Sequence, residues 1–207
     1  MNYEILWAFA LATASLAIFP GPDNIYVLTQ SITNGKKYGL ATTAGLISGC
    51  LVHTTLLAFG VSAIISLNPA LFFTIKLFGA CYLFYLAFRV WRAKAGIDLT
   101  ARQDSKTLMQ LFKQGFIMNV LNPKVTVFFL AFFPGFLFST TLSPTIQFYV
   151  LGLLFMLISF TIFAAIALLA GSIAVYIQRH TMAPVVLKWL QICVFIGIGV
   201  YLLLSYK

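Results

Sequence analysis

The residues best suited to chemistry lie where helix breakers and polar groups interrupt an apolar sequence. The first cluster joins two prolines and a glycine to an acid and an amide: Pro20, Gly21, Pro22, Asp23 and Asn24. Proline removes a backbone donor and glycine tolerates non-helical backbone, so a helix is expected to break here. The second cluster combines amides, a proline and an ammonium group: Asn119, Asn122, Pro123 and Lys124. The two clusters supply the charged and amide groups that bind a small polar ligand.

Each polar side chain of these clusters has a functional and a structural interpretation. Asp23 is the only acid within a predicted span, where it carries a proton, holds a ligand ammonium, or caps the half-helix after the break. Lys124 meets a ligand carboxylate, pairs with Asp23, or only neutralises charge. Asn119 and Asn122 offer amides to a zwitterion or satisfy the backbone that Pro123 frees.

Three further titratable residues lie away from the breaks. His53, in the middle of an apolar segment, is a candidate proton relay because histidine titrates near neutral pH. A hydrogen-bonded interior histidine is the alternative. Lys76 and Lys188 each lie about one turn from a predicted helix end. They are candidate gates, or they extend to the membrane interface as lysines near helix ends usually do.

The composition places all of these residues in a membrane. Hydrophobic residues make up 61% of the chain and charged residues 8%, whereas a soluble chain has about 25% charged residues. A soluble fold of this size cannot bury so much apolar side chain. The composition excludes a soluble enzyme, a disordered linker and a disulfide scaffold. The net charge of +9 fits basic membrane loops better than nucleic-acid binding.

Six apolar segments follow from the gaps between charges and turn-like clusters. They cover residues 5–31, 39–66, 70–91, 113–138, 145–174 and 184–205. A bilayer needs about 20 apolar helical residues per crossing. The polar stretch at about 92–113 is predicted to be a cytoplasmic loop. Ten of the thirteen basic residues fall on the side of this loop, so the positive-inside rule predicts both termini outside.

The predicted fold class is an all-α integral membrane protein with one transmembrane domain over 1–207. The breaks at Pro-Gly-Pro and Asn-Pro fall in segments one and four, which begin two three-helix halves at about 1–100 and 107–207. Because three crossings are an odd number, the second half enters the membrane from the opposite side. Inverted repeats with broken helices at corresponding positions are typical of secondary transporters.

At these motifs the chain resembles the LysE/RhtB-type amino-acid exporters over nearly its whole length. The resemblance rests on the residues from Pro20 to Asn24, Gly35-Lys36-Lys37, Gly45, Gly49, the run from Lys76 to Leu83, and Asn122-Pro123-Lys124 with the aromatic residues after it. Family members often carry Pro-Gln-Phe where this chain has Pro134-Gly135-Phe136, near the predicted outer end. The resemblance implies amino-acid efflux from the cytoplasm, driven by the proton gradient or the membrane potential.

The sequence therefore predicts a secondary transporter of the bacterial inner membrane that exports a small amino acid or derivative by proton antiport. The few core charges favour a neutral or hydroxylated side chain. Metal-cation efflux is one alternative, although a hard cation prefers several carboxylates and Asp23 is alone. A non-transporting scaffold is the other, although it has no need of two broken helices.

No enzymatic activity is expected, because the sequence offers no paired carboxylates, metal cluster or nucleophile–base pair. No cofactor, metal or nucleic acid is expected either. The predicted partners are the amino-acid substrate and membrane lipid. A homo-oligomer is left open.

Overall fold

The computed structural model describes residues 2–61, 69–93, 106–180 and 182–204, with side chains at all of these except 61, 69–72 and 76. Every regular element within these ranges is helical, which confirms the all-α composition. The α-helices of the described residues are α1 (Tyr3–Ile18), α2 (Pro22–Thr33), α3 (Lys36–Leu56), α4 (Pro69–Arg92), α5 (Leu108–Val120), α6 (Pro123–Val127), α7 (Pro144–Leu168), α8 (Ala170–Arg179) and α9 (Ala183–Leu204).

Two helices continue into irregular helical turns. A π-helical turn, Leu57–Val61, extends α3. The short α6 runs into a π-helical turn, Phe128–Phe132, and then a 3-10 turn, Phe133–Phe136. Such turns are short because their hydrogen-bond geometry is poorer than that of an α-helix.

Four helical segments of the described residues are long and apolar enough to cross a membrane. They are Lys36–Gly60, Phe73–Arg92, Pro144–Leu168 and Ala183–Leu204. Two bent pairs meet the same criteria: α1 with α2 at 56°, and α5 with the segment Pro123–Phe136 at 48°. The described residues thus contain four candidate spans, or up to six if each bent pair crosses once. The protein is a multi-pass membrane protein.

Two helix boundaries differ from their predicted positions. Thr107 accepts a hydrogen bond from the Gln110 backbone while the Gln110 side chain accepts one from Thr107, so α5 begins at Leu108 inside the stretch predicted as a loop. The fifth apolar segment is two helices rather than one. The chain leaves helical geometry at Leu169, with φ −97° and ψ 9°, and α8 starts directly after it.

Glycines allow the close packing of α3, α5 and α7. A Cβ atom at Gly45 would collide with the Phe112 carbonyl, and one at Gly115 would collide with the Thr42 carbonyl. Gly152 of α7 lies as closely against Thr54 of α3. Small residues allow this approach in lipid, where helices gain no hydrophobic driving force from association. Gly49 is also packed closely, against the side chain of Asn119.

The two ends of the bundle differ in composition. Lys36 begins α3, Arg92 ends α4 and Arg179 ends α8, and we call the end of the bundle that contains Ala93 and Lys188 the basic end. There the Lys188 ammonium donates to the Ala93 carbonyl at 2.6 Å and joins α9 to the end of α4. At the opposite end the Asn2 backbone donates to the Phe138 carbonyl at 2.9 Å.

Candidate functional site

The two helix breaks lie side by side. The amide Nδ2 of Asn122 donates to Oδ2 of Asp23 at 2.8 Å, across 99 residues of sequence. The Lys124 ammonium crosses the same boundary and donates to the Leu16 carbonyl at 3.3 Å. These contacts bring the two predicted clusters into one site.

The first break is a short extended link between α1 and α2. Phe19 has ψ 133°, and Gly21 is fully extended, with φ −143° and ψ 178°. The carbonyls at the end of α1 therefore lose their helical partners. Asn24 reaches back and donates to the Ala17 carbonyl at 2.6 Å, in a buried hydrogen bond. Side chains from both clusters thus satisfy the end of α1, Asn24 from the first and Lys124 from the second.

The second break carries its own cap. Asn122 is extended, with φ −78° and ψ 108°, and its Oδ1 accepts from the Lys124 backbone at 3.0 Å. Pro123 follows as the first residue of α6, where a missing N–H costs nothing. Asn122 therefore caps α6 with its oxygen and binds Asp23 with its nitrogen. The predicted backbone-satisfying role of Asn122 and a contact with the acid are both present in the geometry.

Asp23 is a buried carboxylate, 8% exposed, near a lysine of the other break. Both residues border a small cavity of about 30 Å³, together with Cys50 and Asn119. The Lys124 ammonium also lies 5.6 Å from the centroid of the Phe195 ring. A charge removed from water needs hydrogen bonds or an opposite charge nearby, and Asn122 and Lys124 supply these for Asp23.

His53 forms its hydrogen bond with the second break rather than with the first. Its Nε2 lies 3.2 Å from the Asn119 carbonyl, and its ring lies 5.4 Å from that of Phe129. The Cys50 thiol donates to the Asn119 side chain at 3.6 Å. His53 is thus a hydrogen-bonded interior histidine, and Asn119 connects it to the site.

A larger cavity of about 390 Å³ extends from the breaks towards the basic end. Its lining includes Gly21 and Lys124 of the breaks, and Arg89, Ala93 and Lys188 towards the basic end. This volume lies within the range of about 300–1,000 Å³ that is usual for small-molecule sites. A space large enough for a small solute therefore joins the breaks to residues of the basic end.

Phenylalanine rings fill the space between the site and the opposite end. We call them the aromatic cluster, which consists of Phe9, Phe128, Phe129, Phe132, Phe133, Phe136 and Phe155. The rings of Phe129 and Phe133 stack at 4.1 Å, and Phe9 meets Phe133 edge-on at 4.9 Å. The departure at Pro134-Gly135-Phe136 forms the 3-10 turn, where Phe136 packs 5.4 Å from Phe9. The described rings close this side of the site.

Of the two predicted gate residues, Lys188 has a described side chain and Lys76 does not. Lys188 stands at the mouth of the larger cavity, where it bonds to the end of α4. Lys76 belongs to α4, and its side chain lies outside the described part of the structure.

Sequence reasoning missed Arg89, which it counted only as a basic residue near a loop. Arg89 lies on the cavity wall because α4 continues to Arg92. A signal was present in the sequence. Tyr82, Leu86 and Arg89 have the i, i+4, i+7 spacing of one helical face, and all three line the cavity.

Among the described residues, no group of three His, Cys, Asp or Glu side chains is arranged to hold a metal ion. The site consists instead of single charges, amides and opened backbone. Such groups have the chemistry to bind a small molecule that carries both positive and negative charge.

Comparisons with known proteins identify the family. The profile described as LysE type translocator matches residues 14–206. Homoserine/homoserine lactone efflux proteins of Salmonella typhimurium and Salmonella typhi are each 32% identical over 179 residues, which cover 86% of both chains. An uncharacterized membrane protein of Pseudomonas aeruginosa is 30% identical over 206 residues, 95% of this chain and 93% of its own. No solved structure matches significantly. The chain belongs to the LysE type translocator family.

Proposed function

We propose that the protein exports a small zwitterionic amino acid, or a close derivative, from the bacterial cytoplasm. The observation that carries the proposal is the larger cavity, which opens at the basic end and ends on the two breaks. The aromatic cluster closes the other side. An exporter that binds its substrate from the cytoplasm needs a cavity on the cytoplasmic side of the site and a closed barrier on the other side. The homoserine efflux activity named for the Salmonella relatives supports the same substrate class.

The proposed topology counts each bent pair as one span, which gives six spans in two inverted three-helix repeats. The basic end then faces the cytoplasm, since cytoplasmic loops carry the excess of lysine and arginine. Both termini lie outside the inner membrane. A reporter enzyme that is active in one compartment, fused after Lys207, tests this arrangement. Activity in the cytoplasm would contradict the six-span count.

The proposed substrate site lies between the two breaks. The substrate carboxylate binds the Lys124 ammonium and the first backbone amides of α2, where the partial positive charge of a helix N-terminus favours an anion. No side chain of the described residues caps this helix at Gly21. The substrate ammonium binds Asp23, whose Oδ2 already accepts from Asn122. Asp23, Asn24, Asn119, Asn122 and Lys124 form the proposed site.

We further propose that the proton moves against the amino acid and that Asp23 carries it. A lone buried carboxylate beside an ammonium can exchange its partner for a proton when the substrate leaves. His53 is 6% exposed and bonds to Asn119, so it is the second candidate along the path. Proteoliposomes with an imposed pH gradient test the coupling. Export that responds to membrane voltage and not to the pH gradient would contradict proton antiport.

Efflux from loaded cells tests the function itself. Cells that overproduce the protein are loaded with dipeptides, and the amino acids that appear outside are measured over time. Faster release of homoserine, threonine or serine than from cells with the Asp23→Ala variant, at equal membrane levels, is expected. Equal release from both would contradict amino-acid export through this site.

A further inference from the structure

The charged side chains that line the larger cavity all have the same sign. They are Arg89, Lys124 and Lys188. Within the described part of the chain no aspartate or glutamate lines this cavity, because Asp23 borders only the small one. A cavity with low-dielectric walls and one sign of charge concentrates ligands of the opposite sign. The cavity therefore favours solutes that carry a carboxylate.

The three cations differ in how the protein holds them. The Lys188 ammonium donates to the Ala93 carbonyl at 2.6 Å, and the Lys124 ammonium donates to the Leu16 carbonyl at 3.3 Å. The Arg89 guanidinium has only a distant ring contact, 6.0 Å from the centroid of Tyr85, and it makes no hydrogen bond with the described residues. A guanidinium binds a carboxylate through two parallel N–H donors. Among the described residues, Arg89 is therefore the cation of this wall whose donors have no hydrogen-bond acceptor.

The next arginine of α4 provides a natural control. Arg92 follows three residues later, is exposed, and does not line the cavity. Its guanidinium lies 5.7 Å from the Phe88 ring, a contact similar to that of Arg89 with Tyr85. The two arginines thus differ mainly in their access to the cavity.

We propose that Arg89 recognises the free carboxylate of the substrate and so makes the transporter accept amino acids but reject their cationic derivatives. This inference rests on the proposed export function. The carboxylate of a zwitterionic substrate binds first to Arg89 and then, beside the breaks, to Lys124. The lactone or amide of homoserine carries an ammonium and no carboxylate. Three cations repel it, and it forgoes the two parallel hydrogen bonds that the exposed Arg89 guanidinium gives to a carboxylate.

The relatives make this selectivity informative. The Salmonella proteins are named for efflux of both homoserine and its lactone. A preference for substrates with a free carboxylate would therefore distinguish this chain from the Salmonella relatives within one family.

Counterflow into proteoliposomes measures the selectivity. Vesicles that contain the purified full-length protein are loaded with unlabelled homoserine, and uptake of labelled homoserine is competed with homoserine, its lactone or its amide. We expect the lactone and the amide to inhibit uptake of labelled homoserine by half only at concentrations at least about tenfold higher than unlabelled homoserine requires. This ratio corresponds to a difference of about 1.4 kcal/mol in binding free energy. Arg89→Gln should reduce that ratio to nearly one, Arg89→Lys should restore part of it, and Arg92→Gln should leave it unchanged.

The outcomes separate this inference from the function on which it rests. If lactone and amide compete as well as homoserine in the unmodified protein, or if Arg89→Gln keeps the ratio, the selectivity assigned to Arg89 is wrong while export stands. If no amino acid gives counterflow, the proposed function is wrong and this inference falls with it. A ratio that falls equally with Arg92→Gln would show that general surface charge, rather than Arg89, is responsible.

Discussion

The two helix breaks bend the chain by similar angles, 56° and 48°, yet they use different chemistry. At the first break, Gly21 precedes α2 without a side-chain cap. At the second, Asn122 caps α6 with its own oxygen. The first break therefore offers backbone amides to a ligand, while the second satisfies its amides internally and contributes side chains.

The contacts between the breaks follow the same division of roles. The second break supplies donors, the Asn122 amide and the Lys124 ammonium. The first break receives them, on the carboxylate of Asp23 and the carbonyl of Leu16. Two breaks of similar shape therefore need not be equivalent binding sites. We expect the first break to hold the substrate and the second to position the first.

The largest effect is expected for Asp23→Ala, which removes the only carboxylate that the described residues place at the breaks. The Asn122 amide and the Lys124 ammonium both lose a buried partner, and export should fall to the level of cells without the protein. Efflux rates normalised to the amount of protein in the membrane measure the change. Glu4→Ala is the control, because Glu4 is an exposed acid far from the site.

Asp23→Asn sharpens this result. Asparagine keeps a hydrogen-bonding oxygen for Asn122 but cannot carry a proton. Loss of proton-coupled export with normal insertion is the expected outcome. Full transport by the asparagine variant would mean that Asp23 is a cap or hydrogen-bond partner and that the proton moves elsewhere.

The next largest effect is expected for Pro22→Ala, with a smaller one for Pro123→Ala. Each substitution removes a rigid φ angle and adds a backbone donor, so each favours a straighter helix. Since we assign the substrate to the first break, the export rate should fall by about tenfold for Pro22→Ala and by about threefold for Pro123→Ala. These changes correspond to increases of about 1.4 and 0.6 kcal/mol in the activation free energy of transport. If Pro123→Ala is the more damaging variant, the division of roles between the breaks is reversed.

The positions of the breaks could be predicted from sequence because proline and glycine act locally. The side-chain contacts between the two breaks could not be predicted in this way. Lys124 was a candidate partner for Asp23, whereas Asn122 makes the hydrogen bond and Lys124 turns to the Leu16 carbonyl. Which side chain crosses the boundary depends on its direction relative to the extended link, and spacing in the sequence does not determine that direction.

Two other features show the same limit. Arg89 lies three residues before the end of α4, within the predicted segment 70–91, and the charge count used it only to orient that segment, whereas the structure places it on the cavity wall. The interruption of helical geometry at Leu169 has no proline or glycine at the position itself. The spacing of Tyr82, Leu86 and Arg89 places them on one helical face, but which face borders a cavity depends on long-range packing that the spacing does not determine.

Asn122→Ala and Asn122→Asp test whether the second break positions the first. Alanine removes the cap of α6 and the bond to Asp23, so we expect a loss of about 1 kcal/mol in the stability of the folded protein and weaker export. Aspartate retains the capping oxygen but places a second carboxylate beside the buried Asp23, where the two like charges repel each other. It should therefore export less than the alanine variant although it keeps the cap. Thermal unfolding in detergent and efflux rates measure the two effects.

The smallest effect is expected at the mouth of the cavity, for Lys188→Ala. The substitution removes the hydrogen bond from α9 to the Ala93 carbonyl at the basic end, away from the breaks. An exposed or half-exposed hydrogen bond contributes about 1 kcal/mol or less, so export at saturating substrate should change by no more than about twofold. Lys76→Ala, the corresponding lysine of the first repeat in the proposed topology, is measured in parallel. If both lysine variants fail while both proline variants export at the unmodified rate, the helix ends control transport and the site between the breaks is wrong.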